Sequence, residues 1–280
     1  MRTTGAVTVA EVEELFGVSP MTARRDLAEL ERRGVARRTH GGAVLPTISA
    51  HEDSFARRLD VDADEKARLA ESAVGMLTPH ETIFLDSSTT TYYVARRLVE
   101  THIAATVLTN SLPVMELLFR EGGPELEVIG IGGNLRRLTR SFVGPFAVRT
   151  VQGHFADRLF FSVKGIAANG MLTDAEPLEA ELKRTMIEQA GESVLLIDQS
   201  KLTTRGLSVI APIADISTTL AIGLDEGEAD TLRLGGTTVR TVVPPRRSAS
   251  ASASSRPVAS VVWTSESGAM TLNPRTDSLD

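Results

Sequence analysis

The chain has no cysteine among its 280 residues. That excludes disulfides, thiolate metal centres and cysteine nucleophiles together, and it fits a reducing compartment. Aromatic residues make up 4% of the sequence, with a single tryptophan, so Ala, Val and Leu must fill most of any core. No apolar run reaches the roughly 18 residues that a bilayer-spanning helix needs. The opening MRTTGAVTVAEVEELF is broken by Glu11, Glu13 and Glu14, where a signal peptide requires an apolar stretch. A cytoplasmic protein is therefore expected. The five histidines (His40, His51, His80, His102 and His154) are scattered without ligand spacing, and no Gly-x-Ser-x-Gly elbow occurs. Neither a metal nor another cofactor is expected.

What is present is 42% apolar residues and a net charge of -6. That apolar share supports a sizeable core, and the length suits one to three domains. The overall acidity hides a local surplus. Between Ser19 and Pro46, six arginines (Arg24, Arg25, Arg32, Arg33, Arg37, Arg38) stand against three acids. Exposed charges are screened beyond about 8 Å at physiological salt, so a polyanion responds to this local field.

The basic stretch has an ordered grammar. Thr8 and Glu11 stand at capping-box spacing, and Val9, Val12, Leu15 and Phe16 recur at helical intervals. Gly17 stops that helix. Ser19 is an N-cap, Pro20 occupies the first helical position, and Ala23, Leu27 and Leu30 form the inward stripe of a second helix that ends near Gly34. Two short helices joined by a tight turn form a helix-turn-helix, whose second helix lies in the major groove with its N-terminal residues at base edges. With Ala23 facing inward, a step of about 100° per residue turns Arg25 outward and leaves Arg24 on the flank. Ser19 and Thr22 sit at the exposed N-terminal corner. VARRTHGGAV then reads as a hairpin over Val35–Thr39 and Ala43–Leu45, a wing whose Arg37, Arg38 and His40 reach flanking DNA. Taken alone, RRDLAELERR also suits a solvated helix with Arg25 and Glu29 paired one turn apart. The cap, the Gly turn, the preceding helix and the basic hairpin together favour DNA.

Thr47–Asp64 reads as a linker or connecting helix. From Lys66 to Leu77 an amphipathic helix is expected, and after it the period changes. Apolar runs at Thr82–Asp86, Thr106–Asn110, Leu126–Gly133, Arg158–Val163, Ser193–Asp198 and Thr218–Gly223 alternate with helical patterns at Tyr92–Thr101, Leu112–Glu121 and Leu178–Ala190. That alternation predicts an α/β domain with a largely parallel sheet, which binds ligands at the carboxyl ends of its strands. PPRRSASASASSRP opens a low-complexity tail expected to be disordered.

The strand ends carry the second constellation. After FLD come Ser87, Ser88, Thr89, Thr90 and Thr91, and then a helix. Hydroxyls at a helix N-terminus make an anion site suited to phosphate, with Asp86 orienting the loop or accepting from sugar hydroxyls. A Thr-rich N-cap is the plainer alternative. Thr109, Asn110, Gly132, Gly133, Lys164 and Lys201 follow other apolar runs, and Glu179 and Lys183 lie one turn apart. Lysines there neutralise a phosphate.

VSPMTARRDLAELERRGVARRTHGGAV resembles the DeoR-type helix-turn-helix. IFLDSSTTT, VLTNS, GGNLR, KGI, EAELKRTMIEQA and LLIDQSK resemble the DeoR sensor domain, and the likeness spans about Val7 to Pro244. The resemblance implies a winged helix-turn-helix over 1–46, a linker over 47–65 and a phosphosugar-sensing α/β domain similar to ribose-5-phosphate isomerase over 66–244, with the disordered tail at 245–280. It further implies a DNA-binding transcriptional regulator of the repressor type, not an enzyme, that is controlled by a phosphorylated sugar at Asp86–Thr91. Four features depart from the family, among them Lys164, where the family often has an uncharged or acidic residue, and the tail after Pro244, which has no counterpart. Seven residues precede Thr8 where the family has a full first helix, which would leave Val12, Leu15, Leu27 and Leu30 uncovered. Ser88 stands where the phosphate loop usually has glycine. Homo-oligomers are expected, because such proteins read paired half-sites. The alternatives are an isomerase-like enzyme with Asp86 or Glu179 as base, and a sensor that no longer binds DNA.

Overall fold

A computed structural model of the chain describes residues 6–32, 37–39, 41–44, 47–48 and 53–243. Gly34, His40, the tail 245–280 and the side chains of Leu30, Arg37 and Arg38 lie outside the described residues.

Both N-terminal helices begin at caps, and the first also ends at one. Thr8 and Glu11 form a reciprocal capping box at the start of the helix Val9–Phe16. Gly17, at φ 64, closes that helix in the left-handed region. Ser19 Oγ accepts the Thr22 N–H at 3.2 Å, and the second helix runs Pro20–Arg32. The hairpin forms from Arg37–Thr39 and Gly42–Val44. A third strand, Ala6–Thr8, pairs antiparallel with Gly42–Val44, and three residues are too few to show strand alternation in sequence. Val12, Ala23, Leu27 and Ala43 form the buried core of this module. The expected uncovering of Val12 and Leu27 is therefore corrected: Ala43 of the hairpin and the partly buried Val7, Val9 and Val18 close over them. Leu15, expected to be uncovered, is 72% exposed, as is Phe16.

The second region is built on a seven-stranded sheet whose described pairings are all parallel. In spatial order its strands are Thr238–Val242, Thr218–Ile222, Ala190–Asp198, Ala156–Phe161, Glu81–Leu85, Ala105–Thr109 and Leu126–Gly130. Each of the six expected apolar runs contributes a strand. The edge strand Thr238–Val242 was not anticipated, since it is mostly exposed and carries no apolar run. Alternate residues face opposite layers. Ile83, Leu85, Val194 and Leu196 pack with the helices Ala63–Val74, Thr89–Thr101 and Leu112–Glu121, while Phe84, Leu195 and Ile197 pack with Pro145–Gln152 and Pro177–Glu188. The chain adds strands outward from Glu81–Leu85 in one direction, then returns to lay Ala156–Phe161 against its other side and continues the opposite way. The order thus reverses between Glu81–Leu85 and Ala156–Phe161, and a crevice opens beyond the carboxyl ends of strands at such a switch point.

The segment expected as a linker or connecting helix contains helical turns. Helices occupy Phe55–Asp60 and Ala63–Val74, so the helix expected from Lys66 starts three residues earlier. Ser54 caps the first of these through the Arg57 N–H at 3.3 Å. Phe55 is buried edge-on against Tyr92, at 5.8 Å between ring centroids, and the Tyr93 hydroxyl donates to the Leu59 carbonyl. One buried aromatic among charged residues leaves no periodicity to read.

Candidate functional site

The loop after Glu81–Leu85 and the loop after Ala156–Phe161 meet at the switch point. Together with the 53–62 segment they enclose a cavity of about 300 Å³. Ser87, Ser88, Thr89, Thr90, Lys164, Glu179, Lys183 and Lys201 line it. Asp86 and Thr91, expected as effector contacts, are buried and do not line it; they brace the loop from behind. Asp86 Oδ1 accepts the Ser88 N–H at 3.0 Å and the Thr91 hydroxyl at 2.9 Å, while Oδ2 accepts the Ser162 N–H at 3.2 Å. Asp86 thus ties the two loops together. Ser88 is the N-cap of the following helix at φ -71, and its Oγ accepts the Thr91 N–H. An ordinary φ needs no glycine, so serine in the glycine position supplies a cap without backbone strain. The first intrahelical bond runs from Tyr92 N–H to the Ser88 carbonyl, which leaves the N–H groups of Thr89 and Thr90 at the helix mouth, where an anion is favoured.

Four expected residues lie elsewhere. Thr109 and Asn110 are buried at the end of the adjacent strand. Thr109 Oγ1 accepts the Ser111 N–H, and Asn110 Nδ2 donates to the Phe142 carbonyl at 3.0 Å. Gly132 and Gly133 line a separate shallow depression with Asn134, Phe146, Arg149 and Thr150.

The charges of the cavity are arranged in pairs. Lys183 Nζ donates to Asp174 Oδ2 at 2.7 Å and to the Ser162 carbonyl at 2.8 Å, and lies 3.3 Å from Asp86 Oδ2. Burial works against its charge, but Asp174, then Asp86 and Glu179, overcome that and hold the ammonium above its ordinary range. Burial likewise opposes ionisation of Asp174, and Lys183 reverses it, so the carboxyl titrates below its usual value. Glu179 goes the other way, pushed up by burial more than Lys183 can bring it down. Its Oε1 accepts from Ser141, Thr139 and Arg136, and its Oε2 accepts from Ser87 at 3.0 Å. Lys201 faces Asp198 at 3.6 Å. Lys66 donates to the carbonyls of Arg58 and Val61 and is held below the usual lysine range, by burial first and then by Lys201.

Sequence reading missed Asp174, Arg136, Thr139, Ser141 and the cavity wall at 53–62. Asp174 ends the strand Met171–Asp174 in a three-stranded antiparallel sheet, and Thr139 and Ser141 sit in and beside the hairpin Asn134–Arg136 and Ser141–Val143. A signal existed for Asp174, an acid just ahead of a Glu-Pro helix start. Gly206 lets the neighbouring chain reach it, since a Cβ there would stand 2.1 Å from the Asp174 carbonyl.

In the N-terminal module, Ser19, Thr22, Arg24 and Arg25 are all exposed, at the start of the second helix. Ser19 and Thr22 also share a hydroxyl contact of 3.0 Å. The backbone of Arg37 and Arg38 runs in the hairpin. Among the described residues no helix is long and apolar enough to cross a membrane.

A two-helix module with a three-stranded wing, followed by a parallel α/β layer with a charged, hydroxyl-rich cavity at its switch point, defines a two-part protein with a nucleic-acid-binding fold and a ligand-binding fold. The chain belongs to the DeoR family of transcriptional regulators. Residues 1–49 match the DeoR-like helix-turn-helix domain and residues 61–221 the DeoR C-terminal sensor domain. It is 34% identical over 229 residues to the HTH-type transcriptional regulator YulB of Bacillus subtilis, covering 81% of this chain and 87% of that one. It is 34% identical over 203 residues to a lactose phosphotransferase system repressor of Streptococcus mutans, covering 71% of this chain and 78% of that one. Ribose 5-phosphate isomerase A of Methanocaldococcus jannaschii resembles it with a TM-score of 0.36 and 16% identity, over 50% of this chain and 55% of that one. So slight a likeness carries no weight for function.

Proposed function

We propose that this chain is a cytoplasmic DNA-binding repressor of sugar-utilisation genes whose cavity takes a phosphorylated sugar, and that it is not an enzyme. The observation that carries this reading is the cavity's composition. The Thr89–Thr90 helix mouth offers N–H and hydroxyl donors to a phosphate, with Lys66, Lys164 and Lys201 on the same wall system. Asp174, Glu179 and Asp198 add acceptors that suit sugar hydroxyls. The repressor name of the lactose phosphotransferase relative supports the same class. Asp86 is fully engaged by three donors and Lys183, which makes it a poor general base.

Ser19, Thr22, Arg24 and Arg25 meet the major groove, and Arg37, Arg38 and His40 meet flanking DNA. Homo-oligomers bring two such helices to paired half-sites. Residues 1–46 form the DNA module, and the sensor extends back to include 53–65. Fluorescence anisotropy of the full chain on DNA from its own upstream region tests this, at two salt concentrations and with a panel of pentose and hexose phosphates. The expected result is salt-sensitive, sequence-selective binding that one sugar phosphate alters. Absence of any selective binding sinks the regulator reading. Turnover of an aldose phosphate that is lost in Glu179→Gln replaces it with the isomerase.

A further inference from the structure

We propose that Arg58 is an effector-contacting residue, and that through it the segment joining the DNA module to the sensor registers an anion in the cavity. The proposal rests on the phosphosugar reading of that cavity and deepens it. Arg58 lines the cavity from the helix Phe55–Asp60. Its Nε and Nη2 are buried and meet no hydrogen-bond partner. A buried guanidinium edge without an acceptor is costly, because those N–H groups have lost water and gained nothing in exchange. An anion placed against them removes that cost, and a guanidinium edge matches two phosphate oxygens. The neighbouring cations are differently placed: Arg57 pairs with Asp53 at 3.1 Å, Lys201 faces Asp198, and Lys183 is spent on Asp174 and Asp86.

The segment is attached to the cavity at both ends of its short helix. Lys66, itself in the lining, donates to the carbonyls of Arg58 and Val61. Phe55 and Leu59 are held by Tyr92 and Tyr93, which stand on the helix whose N-terminus is the hydroxyl loop. An anion bridging the Thr89–Thr90 mouth and Arg58 therefore fixes the segment to the loop that reads the phosphate. Thr47–Ile48, on the DNA-module side of this segment, pairs in parallel with Thr204–Arg205, next to the cavity residues Lys201 and Thr204. Thr47–Ile48 thus lies beside a strand that contributes Thr204 to the cavity.

The test is isothermal titration of the full-length protein with inorganic phosphate and with a panel of pentose and hexose phosphates. Wild type, Arg58→Gln, Arg58→Lys and the surface control Arg68→Gln are compared. Arg58→Gln is expected to weaken the sugar phosphate that wild type binds by roughly tenfold or more, Arg58→Lys by less, and Arg68→Gln not at all. Hydrogen exchange on wild type gives a second readout that needs no variant: saturating sugar phosphate slows exchange across 53–62. Wild-type affinity in Arg58→Gln, or unchanged exchange across 53–62, overturns the proposal and leaves the cavity's assignment standing. Failure of wild type to bind inorganic phosphate or any member of the panel overturns the assignment itself, and the proposal with it.

Discussion

The two regions place their polar residues in opposite ways. In the DNA module Ser19, Thr22, Arg24 and Arg25 are exposed on the cap and first two turns of one helix, above a core of four buried residues among those described. In the sensor, Asp86, Asp174, Glu179 and Lys183 are buried and come from a strand-end loop, a strand and a helix; Lys183 holds Asp86 and Asp174, and Glu179 accepts from Ser87. A surface reader needs only a helix turned the right way. A buried anion site needs its charges balanced in the absence of ligand, so part of its polar inventory serves the fold.

The sharpest way to break this contrast is Lys183→Met. It leaves Asp86 and Asp174 buried without their cation, and about 3–5 kcal/mol of stability is expected to be lost. A fall in the sensor's melting temperature checks it, and a variant as stable as wild type would place Lys183 among the dispensable ligand contacts. Leu27→Ala acts on the other region. Truncating a core leucine costs about 2–5 kcal/mol, large against a core of four residues. Operator binding is expected to disappear while titration with sugar phosphate is unchanged, and parallel loss of both would show that the regions do not fail independently.

Arg25→Gln should be milder. If Arg25 reads a base edge, it costs about 1–3 kcal/mol on the operator and relaxes specificity at one base pair. Uniform weakening on every sequence, with a shallower salt slope, would assign Arg25 to a phosphate. The smallest effects distinguish two carboxyls within the cavity. Asp174, held below its ordinary value, stabilises the fold above that value and loses its contribution as pH falls through the lowered one. Glu179, raised by burial, contributes below its ordinary value and loses that contribution as pH rises through the raised one. Thermal denaturation from about pH 3 to 8 should therefore show Asp174→Asn losing ground to wild type as pH rises and Glu179→Gln gaining it. Shifts of the same sign in both variants would contradict the pairing described.

The sequence by itself determined what depends on neighbours along the chain. Thr8 with Glu11, Gly17, and Ser19 with Pro20 set the helix limits of the DNA module, because caps act within one turn. The six apolar runs determined six of the sheet's seven strands, and the hydroxyl cluster after Asp86 marked the loop, because a strand end followed by a capped helix is a local pattern. Tertiary structure alone decided which strand ends share a cavity. Thr109, Asn110, Gly132 and Gly133 carry the same local signature as Lys164 and Lys201, yet the order of strands puts them on the far side of the switch point from Ala156–Phe161. It also decided that Asp174 would meet Lys183 and that Arg58, in a stretch with no readable period, would turn into the cavity. Asp174 and Lys183 are nine residues apart but on different elements, and Arg58 depends on a single buried aromatic anchor, so no helix or strand spacing rule covers either.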